Sequence, residues 1–64
     1  MNAPPAMRDL TAGTRIRHLA WLVAGTVRVA GGITSVHWDG LLADDEISTE
    51  GPVFPCDIEI VEAA

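Results

Sequence analysis

Residues 26–30 and 34–38 constrain the fold most, because each segment alternates apolar and polar side chains and Gly31-Gly32 separates them. Alternation with a period of two is typical of a half-buried strand. Two consecutive glycines accept the positive φ that a tight hairpin turn requires. The sequence therefore predicts an antiparallel hairpin near the middle of the chain.

Further short strands are predicted on both sides of this hairpin. They cover residues 14–18, 44–48 and 58–61, with a single helical turn over residues 55–57 before the last strand. Short strands joined by glycine-rich turns are typical of small barrels, in which closure also hides the strand edges. The prediction is an all-β fold, a single small five-stranded barrel over residues 10–64.

A helix over residues 16–29 is the alternative for the first half of the chain. Gly25, Thr26 and three valines lie in that range and lower its helix propensity. The unbroken apolar run over residues 19–23 fits either interpretation, so the alternative stays open.

The start of the chain is expected to form an extended N-terminal arm over residues 1–9. Pro4 and Pro5 favour extended backbone and prevent an early helix. With 64 residues the chain accommodates one domain. Its longest apolar run is far shorter than the roughly 20 residues of a membrane-spanning helix, so no membrane contact is expected.

Composition suggests where the protein acts. A single cysteine excludes an internal disulfide, and the first residues have neither the basic region nor the apolar core of a signal peptide. We therefore expect a cytoplasmic protein. The absence of lysine and tyrosine indicates a GC-rich genome, such as that of an actinobacterium or its phage; a phage-encoded protein would lie in the host cytoplasm or the virion.

Charge is unevenly distributed along the chain. Residues 1–32 contain all four Lys or Arg residues and one of the nine acidic residues, whereas residues 33–64 contain the other acidic residues. One interpretation is pairing between the two halves within the fold. The other is an acidic face that meets a basic partner or mimics a phosphate backbone. Its candidate residues are Asp39, Asp44, Asp45 and Glu46.

More apolar residues are present than a small barrel can bury. The residues predicted to point inward are Ile16, Val27, Val29, Val36, Trp38, Ile47, Val53, Phe54, Ile58 and Ile60. Those left over form the candidate protein interface: Leu19, Trp21, Leu22, Val23, Leu41 and Leu42. A contiguous exposed apolar patch marks an interface, and Trp is a residue type that anchors one. In the alternative, Trp21 and Leu41 cap the open ends of the barrel.

No constellation of residues predicts catalysis. His18, His37 and Cys56 lack the spacing of a zinc site. The carboxylates around residues 39–46 lack the longer spacing and central glycine of a calcium loop. We assign no catalytic, cofactor-binding or metal-binding residues and expect no small-molecule substrate.

Four short stretches resemble a small actinobacterial family of unknown function, whose pattern runs G-D-R-I, G-x-I, V-R-W-x-D-G and V-F-P. The matching stretches are Gly13-Thr14-Arg15-Ile16, Gly25-Thr26-Val27, Val36-His37-Trp38-Asp39-Gly40 and Val53-Phe54-Pro55. The resemblance implies an SH3-like barrel over residues 13–61. The chain departs from the pattern at Leu41-Leu42-Ala43, where a polar turn is usual, and over residues 19–23, which are more apolar.

The same outline is similar to that of the plasmid-borne type II dihydrofolate reductases, which build one active pore from four chains with a Val-Gln-Ile-Tyr strand. This chain contains neither glutamine nor tyrosine, so their catalytic residues do not carry over.

The predicted function is a non-enzymatic protein-interaction or assembly module that acts through its apolar loops, with a protein or a second copy as partner. An accessory or virion protein of an actinobacterial phage is a concrete version. One alternative is a nucleic-acid-binding barrel that uses Arg15, Arg17 and Arg28, although the net charge of −5 opposes it. Another is a small oligomeric enzyme with a pocket lined by His18 or His37.

Overall fold

The protein forms one antiparallel sheet, seen in a computed structural model that describes residues 3–41 and 43–64. Its strands are β1 (Arg15–His18), β2 (Ala24–Ala30), β3 (Ile33–Trp38), β4 (Asp44–Glu46) and β5 (Ile58–Glu62), in the spatial order β4-β3-β2-β1-β5. The all-β prediction is confirmed, and the alternative helix over residues 16–29 is wrong. A 3-10 turn at Pro55–Asp57 precedes β5, as predicted.

The central hairpin follows from the alternation in the sequence. Val27 of β2 lies opposite Val36 of β3, and Ala30 lies opposite Ile33 next to the turn. Both turn glycines have positive φ, 58° at Gly31 and 77° at Gly32. Glycine adopts this conformation without a steric cost, which explains the tight two-residue connection.

The core lies on one face of the sheet. Its buried apolar residues are Leu10, Ile16, Val27, Val36, Trp38, Ile47, Val53 and Ile58. Leu10 was not among the residues predicted to point inward, but a 3-10 turn at Met7–Asp9 directs the chain so that this residue is buried. The predicted arm is therefore not extended throughout, and its first two residues lie outside the described part of the chain.

Three residues predicted to be inward are exposed instead: Val29 by 47%, Phe54 by 39% and Ile60 by 37%. Val29 pairs with Thr34 beside the hairpin turn, past the part of β2 that β1 covers. Ile60 lies on β5, an edge strand with an irregular register against β1. Phe54 precedes the 3-10 turn and lies over Gly51. Alternation sets the face of a strand residue, but it does not show whether another element covers that face.

Gly25 allows two strands to approach closely at the core. A Cβ atom built at this position would lie 2.7 Å from the carbonyl oxygen of His37 and 2.6 Å from a methyl group of Val36. Such distances are well inside van der Waals contact. The absence of a side chain at Gly25 therefore makes room for Trp38, its register partner.

The outer edges of the sheet are β4 and β5. Ile47, just after β4, forms a parallel bridge with Val53, and the chain then continues through the 3-10 turn into β5. Among the described residues, β4 and β5 form no backbone hydrogen-bond pairing with each other, so the sheet is open. Within the described ranges, no helix is long and apolar enough to cross a bilayer.

Candidate interaction surface

Two connecting segments lie at the same end of the sheet. β1 ends at His18, β2 begins at Ala24 and β3 ends at Trp38, and these strands are antiparallel neighbours. The backbone N–H of Asp39 donates to the carbonyl of Ala24 at 2.9 Å. The β1–β2 connection and the start of the β3–β4 connection are therefore adjacent.

Exposed apolar side chains concentrate at this end. We call them the loop surface; they are Leu19, Trp21, Leu22, Val23 and Leu41. Trp21 is 53% exposed and Leu22 is 71% exposed. Leu42, the sixth residue of the predicted interface, lies outside the described residues. The fold thus places the other five at one end of the molecule, as expected for an interface or for residues that cap the sheet.

Buried His18 holds the β1–β2 loop in place through main-chain contacts. Its Nδ1 atom accepts hydrogen bonds from the backbone N–H groups of Ala20, at 3.2 Å, and Trp21, at 3.1 Å. Because Nδ1 accepts both, the ring proton belongs on Nε2. The sequence did not predict these two bonds, since the sharp return of the loop over the ring is a tertiary feature.

The aromatic rings of His18 and Trp38 pack against the loop residue Trp21. The imidazole of His18 stacks on Trp21 with a centroid distance of 3.8 Å and an interplanar angle of 5°. Trp38 contacts Trp21 edge to face, with centroids 5.9 Å apart, and its Nε1–H donates to Asp45 Oδ2 at 2.7 Å. One face of the Trp21 indole is thus covered by protein, while half of the side chain stays accessible to a partner.

Leu22 has a backbone conformation that is rare for its residue type. Its φ is 58°, and it is the only non-glycine residue with positive φ in the described ranges. A leucine in the left-handed region costs about 1–2 kcal/mol. The backbone N–H of Leu22 donates to the carbonyl of His18 at 2.9 Å, which fixes this return of the chain. The strained residue is also the most exposed large apolar side chain of the described part.

Charged residues form ion pairs between segments that are distant in the sequence. Arg15 donates two hydrogen bonds to Asp39, at 2.7 and 2.6 Å, and a third to Thr26 at 2.9 Å. Arg17 pairs with Glu59 at 2.7 Å. These hydrogen bonds from Arg15 hold the pKa of Asp39 below its usual value, against the opposing effect of desolvation, and the charges of Arg15 and His37 act in the same direction as the hydrogen bonds.

The acidic residues singled out in the sequence have mixed roles. Asp44 pairs with Arg28 at 3.6 Å and contacts His37, while Asp45 accepts the indole N–H of Trp38. Glu46 is exposed on β4. With Asp39 bound to arginine, three of the four residues are engaged within the fold. This arrangement matches the pairing of the two halves of the chain more closely than a free acidic face.

Other candidate chemistry is sparse in the described ranges. Their His, Cys, Asp and Glu side chains form no group of three or more that could hold a metal ion. Cys56 is exposed, and its Sγ lies 3.9 Å from Asp57 Oδ1.

Comparison of the chain with protein-family models, with curated proteins and with solved structures returned no match.

Proposed function

We propose that the protein is a non-enzymatic interaction module that binds a protein partner or a second copy through the loop surface. The observation that carries the proposal is Leu22, which is held with positive φ and exposed by 71%. Backbone strain of this kind persists where the surrounding structure imposes it, and it concentrates at functional sites. Core packing does not explain the strain at Leu22, because its side chain faces solvent.

The composition of the loop surface supports the same role. Trp21 is accessible on a rigid base of His18 and Trp38, and leucine and valine side chains surround it. Tryptophan with an apolar neighbourhood is typical of the residues that dominate binding energy at interfaces. A loop fixed by hydrogen bonds to its main chain loses little conformational entropy on binding, and this favours affinity.

The finer fold assignment, an SH3-like barrel that resembles the actinobacterial family, is supported by the five-stranded antiparallel sheet and by the 3-10 turn before β5. An accessory or virion protein of an actinobacterial phage would suit such a module. The nucleic-acid alternative receives little support, because Arg15, Arg17 and Arg28 are each paired with a carboxylate. A phosphate backbone would have to displace those partners.

Native mass spectrometry of the untagged protein, purified from its own host, tests the proposal. We expect a homo-oligomer or a heavier complex that Trp21→Ser weakens about 30-fold, as is typical of an interface anchor. The matched control is Ile33→Ser, which removes a side chain of similar exposure, 55%, at the opposite end of β3. A monomer at micromolar concentration, or equal effects of both substitutions, would contradict the proposal.

A further inference from the structure

The N-terminal arm presents an apolar segment with one basic residue, extended at Ala6 and turned from Met7 onward. Its described part, which we call the arm segment, comprises Ala3, Pro4, Pro5, Ala6, Met7 and Arg8. All of these residues are exposed except Pro5, which is half-buried. Ala6 has φ −77° and ψ 155°, the polyproline II conformation that the two prolines also favour.

The hydrogen bonds described for residues 3–9 stay within the arm or close its 3-10 turn. The N–H of Asp9 donates to the carbonyl of Ala6, the N–H of Leu10 donates to Met7, and Asp9 Oδ2 accepts from Ala6. Buried Leu10 anchors the arm to the core. Apart from half-buried Pro5, the side chains of the arm segment are therefore available for contact with another molecule.

The arm and the loop surface are joined to opposite ends of β1. The arm leads through residues 10–14 into the start of β1, whereas the loop surface begins directly after the last residue of β1. To reach the loop surface of its own molecule, the arm would have to run back along the sheet. A second molecule placed end to end can offer its loop surface without that reversal.

Charge complementarity supports a contact between these two ends. Arg8 is the one arginine that makes no ion pair within the described residues, since the other three contact Asp39, Glu59 and Asp44. At the rim of the loop surface, the carbonyl of Asp57 accepts the N–H of Leu19 at 2.8 Å. The carboxylate of Asp57 likewise has no cationic partner in the described ranges.

The chemistry of the two surfaces also fits. Proline rings pack well on an exposed indole face, and a proline-containing segment is already extended, so little conformational entropy is lost when it docks. Trp21 offers such a face, with Leu22 beside it. Arg8 would then be near the acidic rim.

We infer that the arm segment of one copy docks on the loop surface of a second copy, with Arg8 against Asp57. This inference rests on the proposed function, for which it names the partner. The contact joins different surfaces of the two molecules, so it is head to tail and propagates into rings or filaments. The loop surface of each copy is thus occupied by the arm segment of another copy of the same chain.

Complementation between two defective variants tests the head-to-tail arrangement. One variant carries Pro4→Ser, Pro5→Ser and Arg8→Ser, so its arm is defective and its loop surface is intact. The other carries Trp21→Ser, so its loop surface is defective and its arm is intact. Native mass spectrometry of each alone should show monomers, whereas their mixture should form a 1:1 dimer and nothing larger. A symmetric contact between two loop surfaces would give no such dimer and would overturn the inference.

A charge exchange tests the proposed ion pair. Arg8→Asp and Asp57→Arg should each weaken self-association about 10-fold, and the double variant should recover most of it. Arg28→Ser is the control, because it removes an arginine that already pairs with Asp44 within the fold. Circular dichroism of every variant should match that of the unmodified chain. Failure of the double variant to recover would overturn the assignment of this pair.

The same variants separate this inference from the proposed function. If the arm variant assembles as the unmodified chain does while Trp21→Ser abolishes assembly, the inference is wrong and the proposed function stands. If Trp21→Ser leaves assembly unchanged, both are wrong. If the isolated unmodified chain is monomeric up to about 500 µM, the inference is wrong, and the proposed function then stands only if the chain purified from its host is found in a heavier complex with another protein.

Discussion

Replacing Leu22 separates folding from binding more sharply than any other change in this chain. Its backbone has φ 58°, and most of its side chain is exposed. Alanine at this position keeps the left-handed strain, whereas glycine removes it. The pair Leu22→Ala and Leu22→Gly therefore differs by one methyl group and by the backbone cost.

The magnitude of the difference follows from two opposing contributions. The left-handed conformation costs a non-glycine residue about 1–2 kcal/mol. Glycine elsewhere is less favourable than alanine by about 0.5–1 kcal/mol, because it gains more entropy on unfolding. The midpoints of these two ranges leave Leu22→Gly more stable than Leu22→Ala by about 0.75 kcal/mol.

Thermal unfolding followed by circular dichroism measures this difference. For a chain of 64 residues the entropy of unfolding is about 130 cal/mol/K, so the melting temperature of Leu22→Gly should exceed that of Leu22→Ala by about 4–7 °C. The matched control is the pair Ile33→Ala and Ile33→Gly, at an exposed strand position without positive φ. There the order should reverse, with alanine the more stable.

Association should not follow the difference in stability between the two variants. Both substitutions at Leu22 remove the exposed apolar side chain, so both should weaken assembly even though one of them relieves strain. A lower melting temperature for Leu22→Gly than for Leu22→Ala would refute the strain argument. Unchanged association in both variants would remove Leu22 from the interface.

Three further outcomes follow from the structure. Gly25→Ala should lower the free energy of unfolding by more than about 2 kcal/mol, since its Cβ would lie 2.7 Å from the carbonyl oxygen of His37, and urea titration measures this loss. His18→Phe should preserve ring stacking but remove the acceptor of two loop amides, so hydrogen exchange at those amides should accelerate while exchange in the core strands stays slow. Arg15 lowers the pKa of Asp39 in the folded state. Their pairing should therefore stabilise the fold at any pH above the ordinary Asp pKa of about 3.9. This stabilisation should be lost as the pH falls through the lowered pKa of Asp39. Urea midpoints from pH 6 to pH 2, compared with those of Arg15→Gln, should show a smaller acid-dependent loss in the variant.

The parts of this fold that depend on local pattern could be predicted from the sequence. The alternation around Gly31-Gly32 predicted the hairpin, and Pro55 predicted the short turn before β5. The prediction of Val29 as a core residue was wrong, because burial depends on which neighbouring strands extend far enough to cover a position. Leu10 was missed for a related reason, since a short 3-10 turn decides where its side chain lies.

The apolar loop residues could be recognised in the sequence as more than a small core needs. The arrangement of these residues could not be recognised in the sequence, because it depends on contacts between distant segments. Leu22 gives no sequence sign of its positive φ, since leucine rarely adopts it. The two bonds from loop amides to His18 likewise depend on the path of the loop over the ring.

The way in which His18 holds the loop has a consequence for sequence change. Its two contacts are with backbone amides, which every residue except proline provides. The described loop side chains other than that of Trp21 are exposed and take no part in this attachment. Leu19 and Val23 can therefore vary while the backbone frame stays intact, whereas Leu22 needs a residue that tolerates positive φ. A change in binding specificity need not require a new fold, and a library randomised at Leu19 and Val23 without proline would present different surfaces on one scaffold.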